Sequence, residues 1–66
     1  MNFFEFSKTE YEYLCEECML NEDYKKLLWM EIKEYSRTKM ADELHISVDT
    51  LDRMIPKLKR KIKKVL

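Results

Sequence analysis

The densest run of chemistry-bearing side chains is cationic. Residues 53–66 hold Arg53, Lys57, Lys59, Arg60, Lys61, Lys63 and Lys64, seven positive charges with no acid among them. The formal net charge of the 66-residue chain is nonetheless zero, because charge is divided between its halves. Residues 1–34 carry four basic and nine acidic side chains, a balance of −5, and residues 35–66 carry nine basic and four acidic, a balance of +5. Such asymmetry points to a polyanion as the partner of the basic half.

Other reactive types are sparse. Cys15-x-x-Cys18 has the spacing of half a zinc site or of a redox pair, but zinc needs four ligands and only His45 is left to join. Both cysteines also fall on an apolar helical stripe, where free cysteine packs as a small hydrophobe. His45 has no Ser/Asp partner in a triad arrangement, so a turn residue or a phosphate contact is expected there, not catalysis. Glu10, Glu12, Glu16 and Glu17 read as a solvated face. No metal, no cofactor and no enzymatic activity are expected. Glycine is absent, which excludes a P-loop and a Gly-rich dinucleotide turn and argues against tight hairpins. No run approaches the roughly 18 apolar residues of a membrane span. Met1-Asn2-Phe3-Phe4-Glu5-Phe6 lacks the basic and long apolar segments of a secretory signal. Two cysteines cannot build a disulfide framework, so a cytoplasmic location is expected.

These residues have to be positioned by a single small domain, 1–66, with a thin core. Four segments read as helices, giving an all-α, four-helix expectation. The first, at about 8–19, opens at Ser7 with Glu10 three residues on, the spacing of a capping box, and Phe6 ahead of the cap is set to staple onto Tyr11. Its apolar stripe is Tyr11, Leu14, Cys15, Cys18 and Met19. The second opens at Asn21 and runs to about Glu34, with Tyr24, Leu27, Leu28, Ile32 and Tyr35 in line and Trp29 and Met30 widening the stripe. The third runs from Ser36 to near Leu44 on Met40, Ala41 and Leu44. The fourth opens at Ser47 and carries Leu51, Met54, Ile55, Leu58, Ile62 and Val65. Pro56 lies inside that pattern, so the helix is expected either to bend there or to break into 48–55 and a second piece from 57. Phe3, Phe4 and Phe6 either cover the core or form a dimer patch. Leu58, Ile62 and Val65 make an apolar seam between basic flanks, open to phosphate tracking, a dimer seam or, least well, an anionic membrane surface.

Segments three and four suit a helix–turn–helix. Two helices crossing steeply over a short turn need a small residue where they touch, and Ala41 supplies it. Leu44 and Ile46 plug the angle, Leu51 and Met54 pack from the second helix, and Ser47 caps it. Met40-Ala41-Asp42-Glu43-Leu44-His45-Ile46-Ser47-Val48-Asp49-Thr50-Leu51 resembles the pattern Ile-Ala-x-x-Leu-x-Ile-Ser-x-x-Thr-Val. That pattern belongs to LuxR/GerE-type response-regulator output domains and the similar C-terminal DNA-binding domain of bacterial sigma factors. The resemblance covers roughly residues 20–62 and is carried by 40–51. It departs at two places where the family often has glycine: Glu34, two before Ser36, and His45 in the turn. A positive φ at His45 is tolerable with some strain.

The resemblance implies a bacterial or phage protein with a trihelical core at about 21–55 and a helix–turn–helix at about 36–55. It implies base reading by Val48, Asp49, Asp52, Arg53 and Lys57 on the outer face of recognition helix 47–55. Arg53 suits guanine O6 and N7, Asp49 or Asp52 suits cytosine N4, and Val48 suits a thymine methyl. Ser36, Arg37, Thr38, Lys39 and Thr50 are then placed for phosphates, which set register without carrying sequence information, and Lys59, Arg60 and Lys61 continue along the backbone. Two acids on a reading face repel phosphates unless base contacts offset them. The expected function is a sequence-specific DNA-binding transcriptional regulator. Its expected partners are double-stranded DNA and either a second copy, meeting through the aromatic N-terminus or the C-terminal helix, or another protein such as RNA polymerase. The alternative is a protein-interaction adaptor that binds RNA polymerase or a sigma factor on the same scaffold. No membrane partner is expected.

Overall fold

The computed structural model describes residues 3–66. Within them the chain is all-α, with four helices and no strand: α1 (Lys8–Glu17), α2 (Glu22–Ile32), α3 (Arg37–Leu44) and α4 (Val48–Val65). All four helices open on the caps their sequence announces. The Ser7 hydroxyl accepts from the Glu10 amide at 3.2 Å while the Glu10 carboxylate accepts from the Ser7 amide at 2.9 Å. The Asn21 side-chain carbonyl oxygen accepts from the Tyr24 amide at 2.9 Å, Ser36 Oγ from Lys39 at 3.2 Å and Ser47 Oγ from Thr50 at 3.1 Å. Each such bond satisfies a helix-start amide and contributes about 1 kcal/mol.

The helix ends are built on one device used three times. Met19, Glu34 and His45 take positive φ values of 51°, 60° and 57°. In each case the left-handed residue donates to the carbonyl three back (Glu16, Glu31, Asp42), and the next residue donates to the carbonyl five back (Leu20 to Cys15, Tyr35 to Met30, Ile46 to Ala41). This is the Schellman pattern, which normally recruits glycine. It also explains why α1 and α2 stop at Glu17 and Ile32 and do not reach 19 and 34: the periodic apolar positions continue into the reversal after helical dihedrals have ended.

The core gathers Phe4, Leu14, Cys15, Leu20, Leu27, Leu28, Met30, Met40, Ala41, Leu51, Ile55, Leu58 and Ile62. Each of the three reversals therefore ties the carbonyl of a buried residue (Cys15, Met30, Ala41) to the chain leaving the helix. α4 contributes the longest stripe, with Leu51, Leu58 and Ile62 wholly excluded from water. Burying a Leu or Ile side chain stabilises by about 1.5–3 kcal/mol, which opposes the roughly 3 kcal/mol that an interior proline costs. Accordingly α4 runs unbroken through Pro56, which decides against the alternative of two separate pieces. Pro56 itself is exposed. Its missing N–H removes the helical bond to the Asp52 carbonyl on the side that faces solvent.

The N-terminal phenylalanines and the C-terminal seam are both used inside the molecule. Phe4 is in the core, Phe3 and Phe6 pack against it, and Phe3 meets Phe4 edge-on at 5.1 Å. Leu58 and Ile62 face the same core and Val65 packs on it. These are the two surfaces read from sequence as dimer contacts, and here they cover the protomer's own interior. No helix among the described residues is long and apolar enough to cross a membrane.

Replacing a left-handed non-glycine residue by glycine removes a penalty of about 1 kcal/mol. Glu34→Gly is expected to raise the melting temperature by about 4–8 °C, read by circular dichroism. A fall would show that the Glu34 side chain contributes more than its backbone strain removes.

Candidate nucleic-acid interface

α3 and α4 are joined by three residues, His45, Ile46 and Ser47, with His45 left-handed and Ile46 partly buried. Ala41 is buried in the same cluster as Leu51 and Ile55 of α4, so at this position of α3 only a methyl group has to be accommodated. Leu44, Ile46 and Met54 pack around it. The consequence is positional: α4 presents one side to the core and the other to solvent over its 18 residues, a length of about 27 Å.

Along the solvent side, Asp49, Arg53, Lys57, Arg60 and Lys64 follow one another at helical spacing, and all are exposed. Val48 is 41% exposed at the start of the helix. The five residues read from sequence as base contacts, Val48, Asp49, Asp52, Arg53 and Lys57, are thus all on the surface of α4's first three turns. They are not independent. Arg53 Nη2 lies 3.3 Å from Asp49 Oδ2, one turn away. Asp52 Oδ1 accepts from Arg37 Nη1 at 2.7 Å across the α3–α4 junction. Both pairs are open to water, so each contributes about 0–1 kcal/mol to stability. Their weight is electrostatic: both acids of the face already have a cation.

The residues read as phosphate contacts divide into groups. Ser36 and Thr50 are engaged in caps. Ser36 Oγ accepts from the Lys39 amide, while Thr50 donates its amide to Ser47 and shares a 2.9 Å hydroxyl contact with it. Arg37 is held by Asp52. Lys39 lies over the Tyr35 ring at 4.7 Å, and Thr38 is exposed at the start of α3. Lys59 is only partly exposed and sits over Phe3 and Phe4 at 5.6 and 5.7 Å, and Lys61 lies over Tyr24 at 5.9 Å. Arg60 is exposed on the outer line of α4. Lys57, Arg60 and Lys64 therefore form the basic part of that line, and Lys59 belongs to the packing of the N-terminal segment.

Sequence reasoning missed three features. The Arg37–Asp52 pair spans 15 positions and has no local signature. Lys59 reaches phenylalanines at the far end of the chain. Glu31 is half-buried, and burial raises its pKa, with Lys59 and Arg37 pulling the other way. The Asp49–Arg53 pair was missed as well, although its i, i+4 spacing is displayed by the sequence.

The remaining perturbed groups lie away from this face. Tyr11 meets Trp29 at a tilt of 59° with ring centres 5.1 Å apart, and its hydroxyl donates to the Lys25 carbonyl at 3.4 Å. Burial first, then the neighbouring Cys15 thiol, pushes its pKa up to about 12. Cys18 is raised by burial against the pull of Lys61, and its thiol donates to the Lys61 carbonyl at 3.4 Å, linking the end of α1 to α4. Cys15 and Cys18 are free thiols. Among the described residues no cavity opens, and no group of three His, Cys, Asp or Glu is placed to hold a metal ion. Comparison with protein-family models, with curated proteins and with solved structures finds no match.

Glu31 supplies a pH prediction. A carboxyl whose folded pKa is raised binds its proton more tightly in the folded state, so stability falls as pH rises past the ordinary Glu value of about 4.3. Glu31→Gln abolishes that loss. The melting-temperature difference, variant minus parent, is expected to be more positive at pH 7 than at pH 3.5. A difference independent of pH would refute the burial effect.

Proposed function

We propose that the chain is a non-enzymatic, sequence-specific DNA-binding protein that regulates transcription. The trihelical core at about 21–55 carries a helix–turn–helix, and the N-terminal half of α4 enters the major groove. The observation that carries this reading is the joint exposure of Val48, Asp49, Asp52, Arg53 and Lys57 on one helix. The opposite side of that helix is pinned to the body through Leu51 and Ile55, in one cluster with Ala41. A second observation favours the resemblance to LuxR/GerE-type and sigma-factor domains. Glu34 and His45, where that family often carries glycine, are both left-handed here.

In this reading Arg53 donates two bonds to guanine O6 and N7, and Asp49 or Asp52 accepts from cytosine N4. Ser36 retains a hydroxyl hydrogen for a phosphate oxygen, because its cap uses only a lone pair. Lys57, Arg60 and Lys64 follow the backbone as α4 leaves the groove. Discrimination on the order of 4–10 kcal/mol over random DNA usually takes two such units. The proposal therefore includes a second copy or a DNA-bound partner such as RNA polymerase.

Mobility shift as a function of salt tests it, after selection of bound sequences from random duplex DNA. Affinity should fall steeply with salt as counterions are released. Arg53→Ala should cost about 1–3 kcal/mol at one base pair and relax preference there. Arg60→Ala should weaken all sequences alike and lower the salt slope by about one. Binding to RNA polymerase or a sigma factor, with none to DNA, would establish the adaptor reading instead. That reading draws on the zero net charge and on the two acids of the face.

A further inference from the structure

The outer face of α4 is electrostatically two different surfaces. Beyond Arg53 it is uniformly basic, through Lys57, Arg60 and Lys64. Ahead of that point the acids are matched: Asp49 by Arg53 at 3.3 Å and Asp52 by Arg37 at 2.7 Å. The second match crosses from the first turn of α3 to α4, so it couples the backbone-contacting side of the proposed site to its base-reading side.

We propose that Asp52 is a specificity-determining residue of the proposed DNA site, acting by competing with phosphate for Arg37. The inference rests on the DNA-binding reading above. A duplex phosphate near α3 offers Arg37 an alternative bidentate partner. Taking it strips Asp52 of its cation and leaves a carboxylate facing the groove. That exchange is favourable only where a base edge offers a donor to the freed oxygen, and cytosine N4 is the donor that fits a carboxylate. On other sequences the choice lies between an unpaired carboxylate near phosphates and an Arg37 that never reaches the backbone. Either way the complex forgoes one favourable interaction. Asp52 therefore suppresses binding to the wrong duplex as well as supporting the right one, a discrimination by repulsion. The 2.7 Å distance is that of a direct charge-assisted bond, and the openness of both side chains to water (64% and 43%) keeps the pair weak enough to exchange without unfolding.

Asp52→Asn keeps the shape of the side chain and removes its charge. The parent and the variant are each put through selection from a random-sequence duplex library. Each is then titrated on the random pool and on the parent's selected sequence near 0.1 M salt. The variant should bind the random pool roughly five- to tenfold more tightly, the effect of neutralising one further phosphate at that salt. Its ratio of selected to random affinity should drop roughly tenfold. Its selected sequences should lose the cytosine preference at one position while keeping the one set by Arg53. In an Arg37→Ala background the part of the random-pool gain that comes from releasing Arg37 should vanish, while the cytosine preference should still be lost on Asp52→Asn, because that preference needs the carboxylate and not its cation. Circular dichroism melting confirms that each variant is folded. If the parent selects a sequence and Asp52→Asn selects the same one with unchanged random affinity, the role of Asp52 is refuted and the DNA-binding reading stands. If the folded parent binds no DNA at all, both fall together.

Discussion

The apolar stripe of α4 is the constraint on which the domain depends. Leu51, Leu58 and Ile62 are entirely buried and Ile55 nearly so, in one cluster with residues from every other helix and from the N-terminal segment. A chain of this size has few such positions to spare. The same stripe fixes which way the polar residues of α4 point, because side chains a half-turn away on a rigid helix have no freedom to face inward. The exposed line from Asp49 to Lys64 thus follows from the packing of Leu51 and Ile62, and the proposed binding chemistry is a by-product of core formation.

The lack of glycine gives the second organising feature. Three helices must end abruptly for four to fold back on one another, and each ends on a non-glycine residue with positive φ. The strain is tolerated because each reversal places two backbone bonds and leads the chain on to an apolar residue, Leu20, Tyr35 or Ile46. The first and last of these pack into or against the core. Local unfavourability is thereby outweighed by non-local burial.

Much of this was legible in the residues. The four caps were, because Ser or Asn three residues before a free amide is a local chemical fit that no tertiary contact has to supply. The all-α class was, because the 3.6-residue spacing of Leu27, Leu28, Leu51, Leu58 and Ile62 admits no other regular structure. Helix ends were not, since Met19 and Tyr35 keep the apolar rhythm after the dihedrals have changed. The passage of α4 through Pro56 was ambiguous from sequence, because it is decided by burial on the far side of the helix. Among the site residues, the outward placing of Val48, Asp49, Asp52, Arg53 and Lys57 was what the resemblance to LuxR/GerE-type and sigma-factor domains implied, and all five are exposed. Their partners were not read from the sequence, although the Asp49–Arg53 pair has the spacing of one helical turn. Arg37 with Asp52, and Lys59 with Phe3 and Phe4, depend on how α3 and the N-terminus dock, which no window of sequence contains.

The proline that α4 carries at position 56 has a consequence for anything that settles on that helix. With no N–H at residue 56, the carbonyl oxygen of Asp52 is denied its helical donor in the middle of the charged outer line. An acceptor without its helical donor on an exposed face is open to water. A partner docking there would either have to bring a hydrogen to that oxygen or leave room for a bridging water molecule.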